Sequence, residues 1–159
     1  MRFLAPPEPS TSTPGGATSI SRGKDLFSNV GCALCHTPTL QTGNHATVAA
    51  LGNKSANLYS DLLIHEMGSG LADGVSQGQA GPGEFRTAPL WGLGQRIFFL
   101  HDGRTSDLLT TIQAHKSGGP FGSSGLFSPA PSEANGVINL FNSLTEPQKQ
   151  DVLNFLRSL

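Results

Sequence analysis

Two thiols and an imidazole stand together in the stretch Val30-Gly31-Cys32-Ala33-Leu34-Cys35-His36, and Cys32 and Cys35 are the chain's only cysteines. Four chemistries use those residue types. A disulfide between them would close a very small loop and constrain little of the unfolded chain. A thioredoxin-like redox pair belongs at a helix start beside a strand–helix–strand unit, which the surrounding sequence does not offer. Zinc needs two more ligands, yet there is no second cysteine pair, and His45 and His65 fall at irregular spacing. Covalent haem attachment alone uses every residue of the motif. In Cys-x-x-Cys-His the two sulfurs bond the vinyl-derived carbons of a haem and the adjoining imidazole ligates iron. The motif therefore predicts one covalent haem c on Cys32 and Cys35, with His36 as proximal ligand.

The other face of the iron has five candidates: His45, His65, His101, His115 and Met67. His115 falls one turn beyond Ile112 and two beyond Leu108, on the apolar side of a helix. A histidine there is ordinarily a satisfied core residue, but beside a haem that stripe looks into the crevice. Met67 is the only internal methionine, and a thioether ligand would give a higher potential than two imidazoles. His65 suits a contact to a haem propionate or to a group that supports an iron ligand. His101, before Asp102-Gly103, reads as a turn histidine bonding loop backbone, and His45 lies in polar loop. Trp91 reads as core or crevice wall, and Arg86, Arg96 and Arg104 are equivalent candidates to pair with a propionate. Calcium is compatible with the chain, but no residue pattern supports it.

These residues must be positioned by short elements. Residues 1–20, rich in Pro, Ser, Thr and Gly, read as linker, and 21–159 as the cytochrome domain. Ser21 can cap a helix to Val30, which Gly31 ends. A helical turn is expected near "YSDLLIHEMG", and "GVSQGQAGPGEF" is loop. Thr105 or Ser106 can cap a helix carrying Leu108, Leu109, Ile112 and His115 inward, stopped by Gly118-Gly119-Pro120. Ser132 can open another with Val137, Ile138 and Phe141 inward. In "LTEPQKQDVLNFLRSL" Thr145 and Gln148 form a capping box, and Val152, Phe155, Leu156 and Leu159 make one apolar stripe. No strand pattern stands out. The expected fold is mainly α, cytochrome-c-like, with short helices and long loops around one haem.

Composition agrees with that picture. The chain has 159 residues, enough for one domain with a core. Its 10 Lys+Arg against 11 Asp+Glu point to neither nucleic acid nor an anionic membrane surface. Gly 20 and Pro 11 imply long loops, which a large apolar cofactor would help to order. No apolar run is long enough to span a bilayer, and "MRFLAPPEPSTSTPGG" does not read as a signal peptide, so none is expected within these residues.

The segments "SRGKDLFSNVGCALCHTPTLQTG", "YSDLLIHEMGSGLADG", "RTAPLWGLG" and "FFLHDGRTSDLLTTIQAHKSGG" resemble the C-terminal haem domain of di-haem thiol oxidoreductase-like proteins. These are a branch of the bacterial di-haem cytochrome c peroxidase superfamily. The resemblance covers most of the chain, including "MRFLAPP", a connecting segment in that family. It implies an exported, periplasmic protein with two c-type haems, in which this haem passes electrons to an N-terminal reaction haem. It also implies a distal ligand fourteen residues after the histidine of the His-Asp-Gly turn, which from His101 is His115. Typical peroxidases have methionine there, so histidine implies a lower potential. Only one Cys-x-x-Cys-His is present, so the reaction haem is missing and the chain reads as one half of a two-haem design. The expected function is one-electron relay to a redox partner or adjacent haem domain, with no catalytic residue of its own. The rival expectation is peroxidase or thiol oxidoreductase chemistry at a haem whose distal ligand can be displaced.

Overall fold

The N-terminal helix starts earlier than its apolar pattern. A computed structural model describes residues 15–44, 47–118, 120 and 130–159. Within them α1 spans Gly16–Asn29, beginning ahead of Ser21 because Gly15, at φ 88°, turns the chain into the first turn without a side-chain cap. Residues 16–20 are therefore helical, and buried Ser19 faces the core; residues 1–14 lie outside the described set. The helix closes at Val30, and Gly31, at φ 97°, turns the chain into the motif.

The described residues hold four α-helices and two small antiparallel ladders, a small mixed fold. Strands β1 (Leu40–Gln41) and β2 (Ser55–Ala56) pair Leu40 with Ala56; β3 (Ile64–Glu66) and β4 (Glu84–Arg86) pair His65 with Phe85. These strands correct the expectation that none would form. Runs of two or three residues are too short to show alternation. The "YSDLLIHEMG" stretch is likewise extended at Ile64–Glu66, not a helical turn.

Helix α2 spans Leu108–Gln113 and is capped by Asp107, whose carboxylate accepts from the Thr110 N–H at 2.6 Å, rather than by Thr105 or Ser106. Helix α3 runs Asn135–Asn142, three residues past Ser132, with Ile138 and Phe141 buried. Helix α4 spans Glu146–Ser158 and carries the Thr145–Gln148 capping box. No helix among the described residues is long and apolar enough to cross a membrane.

The core gathers Phe27, Leu93, Leu108, Phe141, Val152, Leu153, Phe155, Leu156 and Leu159. Helices α1 and α4 cross over Gly23, where an added Cβ would lie 2.0 Å from the Asp151 carbonyl oxygen. Beyond its apolar stripe, α4 also buries Asp151, Asn154 and Ser158. The Asp151 carboxylate accepts from the Ser19 hydroxyl and from Arg22 at 2.7 and 2.9 Å, while Asn154 donates to Ser19 at 2.9 Å. A polar face sealed by such bonds need not face water. Behind α4, Gly92 N–H donates to Leu159 O at 2.7 Å, and the turn Leu93–Gln95 packs on the helix end.

Arg22, then burial opposing it and Ser19 aiding it, hold Asp151 below the usual carboxylate range. A depressed folded value gives stability that is present above the unfolded value, about 3.9, and lost as pH falls through the folded one. Arg22 is largely in solvent, so most of the benefit lies in the buried Ser19 contact. Asp151→Asn should cost about 1–2 kcal/mol near neutral pH. In chemical denaturation against pH, its gap from the parent should shrink below about pH 4. A gap independent of pH would exclude this origin.

Candidate haem site

The motif sits where α1 hands the chain into a single turn, Cys32–Leu34, with His36 N–H donating to Cys32 O at 2.9 Å. Both cysteines are free thiols, partly buried, and Cys32 packs against the core. Burial pushes the Cys32 thiol up to about 12. Cys35 is raised by burial first, then by the carboxylates of Asp61 and Glu133. Neither position favours the thiolate that a redox nucleophile requires.

His36 and His115 share one environment. His36 donates Nδ1–H to Tyr59 O at 3.0 Å, and His115 donates Nδ1–H to Thr111 O at 2.9 Å. A carbonyl only accepts, so each bond fixes the tautomer and leaves Nε2 with its lone pair. Burial, reinforced by His115, pushes His36 down to about 4, and burial also lowers His115. Both rings are therefore neutral at physiological pH, the state in which imidazole ligates metal. Their centroids lie 6.4 Å apart with planes at 60°. Two imidazoles that shared one metal through Nε2, at about 2.0 Å each, would have their centroids up to about 6 Å apart. At that spacing His36 and His115 would both be within reach of one iron.

Two elements bring His115 there. Helix α2 turns it inward one turn past Ile112, and buried Ser132 donates its hydroxyl to His115 O at 2.6 Å. On the near side, the Phe27 ring lies 6.3 Å from His36 and stacks edge-on against Phe155.

His65, in β3, is held between Asp61 (2.9 Å) and Glu133 (2.8 Å), and these carboxylates, Glu133 foremost, raise its pKa against the cost of burial. Both ring nitrogens are so engaged, with the Cys35 sulfur 3.8 Å from Nδ1. Cys35, Asp61 and His65 form a group with metal-ligand reach. Met67, the alternative distal ligand, follows β3 and donates its N–H to Gly83 O; the ring facing His36 is that of His115. His101 stacks on Phe85 at 4.5 Å and faces Asp73 at 3.8 Å, where loop backbone was the expected partner. Aromatic stacking across the loop gives the ring an apolar surface that a turn lacks. His45 lies outside the described residues. Arg104 bonds Asp102 and Gly70 O, Arg96 bonds Pro89 O, and Arg86 ends β4 opposite Ile64. Trp91 is half-buried beside the Leu93–Gln95 turn.

Sequence reasoning missed Tyr59, Thr111, Asp61 and Glu133. The first two contribute backbone carbonyls, which no side-chain pattern announces. Glu133 reaches His65 across 68 positions, a separation that no local pattern spans.

Comparison with known proteins follows the geometry. None of the curated proteins matches the sequence. Among solved structures, the chain is similar to a chain of hydrazine synthase from Kuenenia stuttgartiensis, determined under 20 bar of xenon, with a TM-score of 0.56 and 16% identity. The match covers 99% of this chain and 52% of that one, so this chain spans about half its length, and the likeness is one of fold. A family model described as "Di-haem oxidoreductase, putative peroxidase" matches residues 9–158, nearly the whole sequence. The chain belongs to the di-haem oxidoreductase family.

Proposed function

We propose that this chain is a c-type haem domain that relays single electrons. In this reading Cys32 and Cys35 form the thioethers and His36 and His115 are the axial ligands. Bound haem would supply a one-electron iron couple. The observation that carries the reading is the pair of neutral imidazoles, 6.4 Å apart, one of them inside Cys-x-x-Cys-His. Each ring is oriented by a carbonyl on Nδ1, the support that metal-ligating histidines need. Two imidazoles lower the potential relative to a histidine–methionine pair, which suits a donor. The family holds two haems, whereas this sequence has one attachment motif. The natural electron partner is therefore an adjacent haem domain or a redox protein. Export to the periplasm is the compartment where thioether attachment would take place.

The family description supports a second reading, peroxidase or thiol-oxidising chemistry at an iron whose distal ligand moves away. Absorption spectra of the ferric and ferrous chain, produced in a host that attaches haem c, separate the two. The relay predicts a covalent haem mass increment and a low-spin, six-coordinate spectrum unchanged by cyanide or peroxide. A high-spin, peroxide-reactive iron would sink the relay. Absence of any haem increment would return the motif to zinc or scaffold roles.

A further inference from the structure

Two left-handed residues that are not glycine, Tyr59 (φ 51°) and Leu62 (φ 62°), flank Ser60-Asp61 ahead of β3. L-residues adopt that conformation at a cost, so surrounding contacts must hold it. Those contacts run to the haem-attachment loop. Tyr59 N–H donates to Pro38 O at 3.2 Å, Ser60 N–H to Thr37 O at 2.9 Å and Asp61 N–H to Cys35 O at 2.8 Å. In return Tyr59 O accepts from His36 Nδ1 at 3.0 Å. Three consecutive donors and one acceptor grip Cys35–Pro38 from one side. The Tyr59 ring meanwhile packs edge-on against Phe27 and Phe155, tying the turn to the helix crossing.

Ser60 pins this turn from behind. It is 0% exposed, and its hydroxyl donates to Thr87 O at 2.7 Å while accepting from Leu62 N–H at 3.0 Å. Removing a buried hydroxyl with both partners in place leaves two backbone groups without theirs.

We propose that Ser60 is a positioning residue for the iron: it anchors the Tyr59–Leu62 turn to Thr87 and so fixes the carbonyl that accepts the His36 Nδ1 proton. The inference rests on the ligation by His36 proposed above. A firm Nδ1–H···O bond makes the imidazole a stronger electron donor, which favours ferric over ferrous iron. Ser60 exerts this through Tyr59.

The test uses the haem-loaded chain. Ser60→Ala should keep the low-spin spectrum but raise the reduction potential, shifting the ferric-to-ferrous ratio about tenfold at fixed potential, about 59 mV for one electron. Thr145→Ala, which removes the α4 cap, should lower stability and leave the potential alone. An unchanged potential in Ser60→Ala overturns the inference, as does an equal shift in Thr145→Ala. Should Ser60→Ala fail to mature, the parent protein decides by NMR. Its His36 Nδ1 proton should exchange with solvent as slowly as the buried amides of α4, and rapid exchange overturns the proposal. A parent chain lacking low-spin, six-coordinate haem overturns the ligation by His36 and His115 instead, a separate failure with its own signature.

Discussion

His115→Ala should convert the iron from low spin to high spin and open one coordination position to cyanide and added imidazole. The side chain offers a neutral imidazole whose Nδ1–H is committed to Thr111 O, so Nε2 is the atom withdrawn. Helix α2 and the Ser132–His115 bond act through backbone, and alanine keeps both. The alanine is therefore expected to fold around a cavity about the size of the ring, at a cost of about 2–4 kcal/mol. Exogenous imidazole should fill that cavity and restore the low-spin spectrum, which separates loss of a ligand from loss of structure. Met67→Ala should leave the spectrum as it was. The reverse pattern, with Met67→Ala altering the spectrum and His115→Ala silent, would move the distal ligand to the thioether.

Gly23→Ala is expected to be strongly destabilising. At Gly23 an added Cβ would lie 2.0 Å from Asp151 O, 2.6 Å from its carbonyl carbon and 2.8 Å from Phe155 Cβ. Two of these are backbone atoms of α4, which cannot swing aside as a side-chain tip can. Helices α1 and α4 must separate, disturbing the Ser19–Asp151–Asn154 bonds and the Phe27–Phe155 contact in the same stroke. A loss of about 3 kcal/mol or more is expected, or roughly 6–12 °C in Tm for a domain of this size. Gly136, in α3, supplies the control. Nothing lies within 4 Å of a Cβ there, so Gly136→Ala should gain about 0.5–1 kcal/mol from reduced chain entropy. Thermal unfolding of both variants in the haem-loaded state checks the contrast. Equal tolerance at the two positions would mean that the helices do not cross at Gly23.

The two variants also mark what could be read from letters alone. Cys32, Cys35 and His36 are adjacent in sequence, so their chemistry is local and legible without a fold. The α4 cap and stripe are local too: Thr145 meets Gln148 within one turn, and Val152, Phe155, Leu156 and Leu159 recur at the helical period. His115 was legible by halves. Its spacing from Leu108 and Ile112 put it on an inward face, and the family resemblance singled it out, but neither says what it faces.

Only the tertiary structure brings His115 opposite His36 across 79 positions, because that distance depends on how α2 and the motif turn pack on a shared core. It alone decides that α4 is buried on a polar face as well, since the partners of Asp151 lie on α1. It also closes Glu133 and Asp61 around His65, a pairing that no local spacing announces. The short strands and the Tyr59–Leu62 turn belong to the same class. Their stability comes from backbone bonds to distant segments, and a backbone carbonyl or amide is the same in every residue that could have supplied it. Side-chain chemistry was therefore written in the sequence, whereas the groups that orient it became visible only when the chain closed on itself.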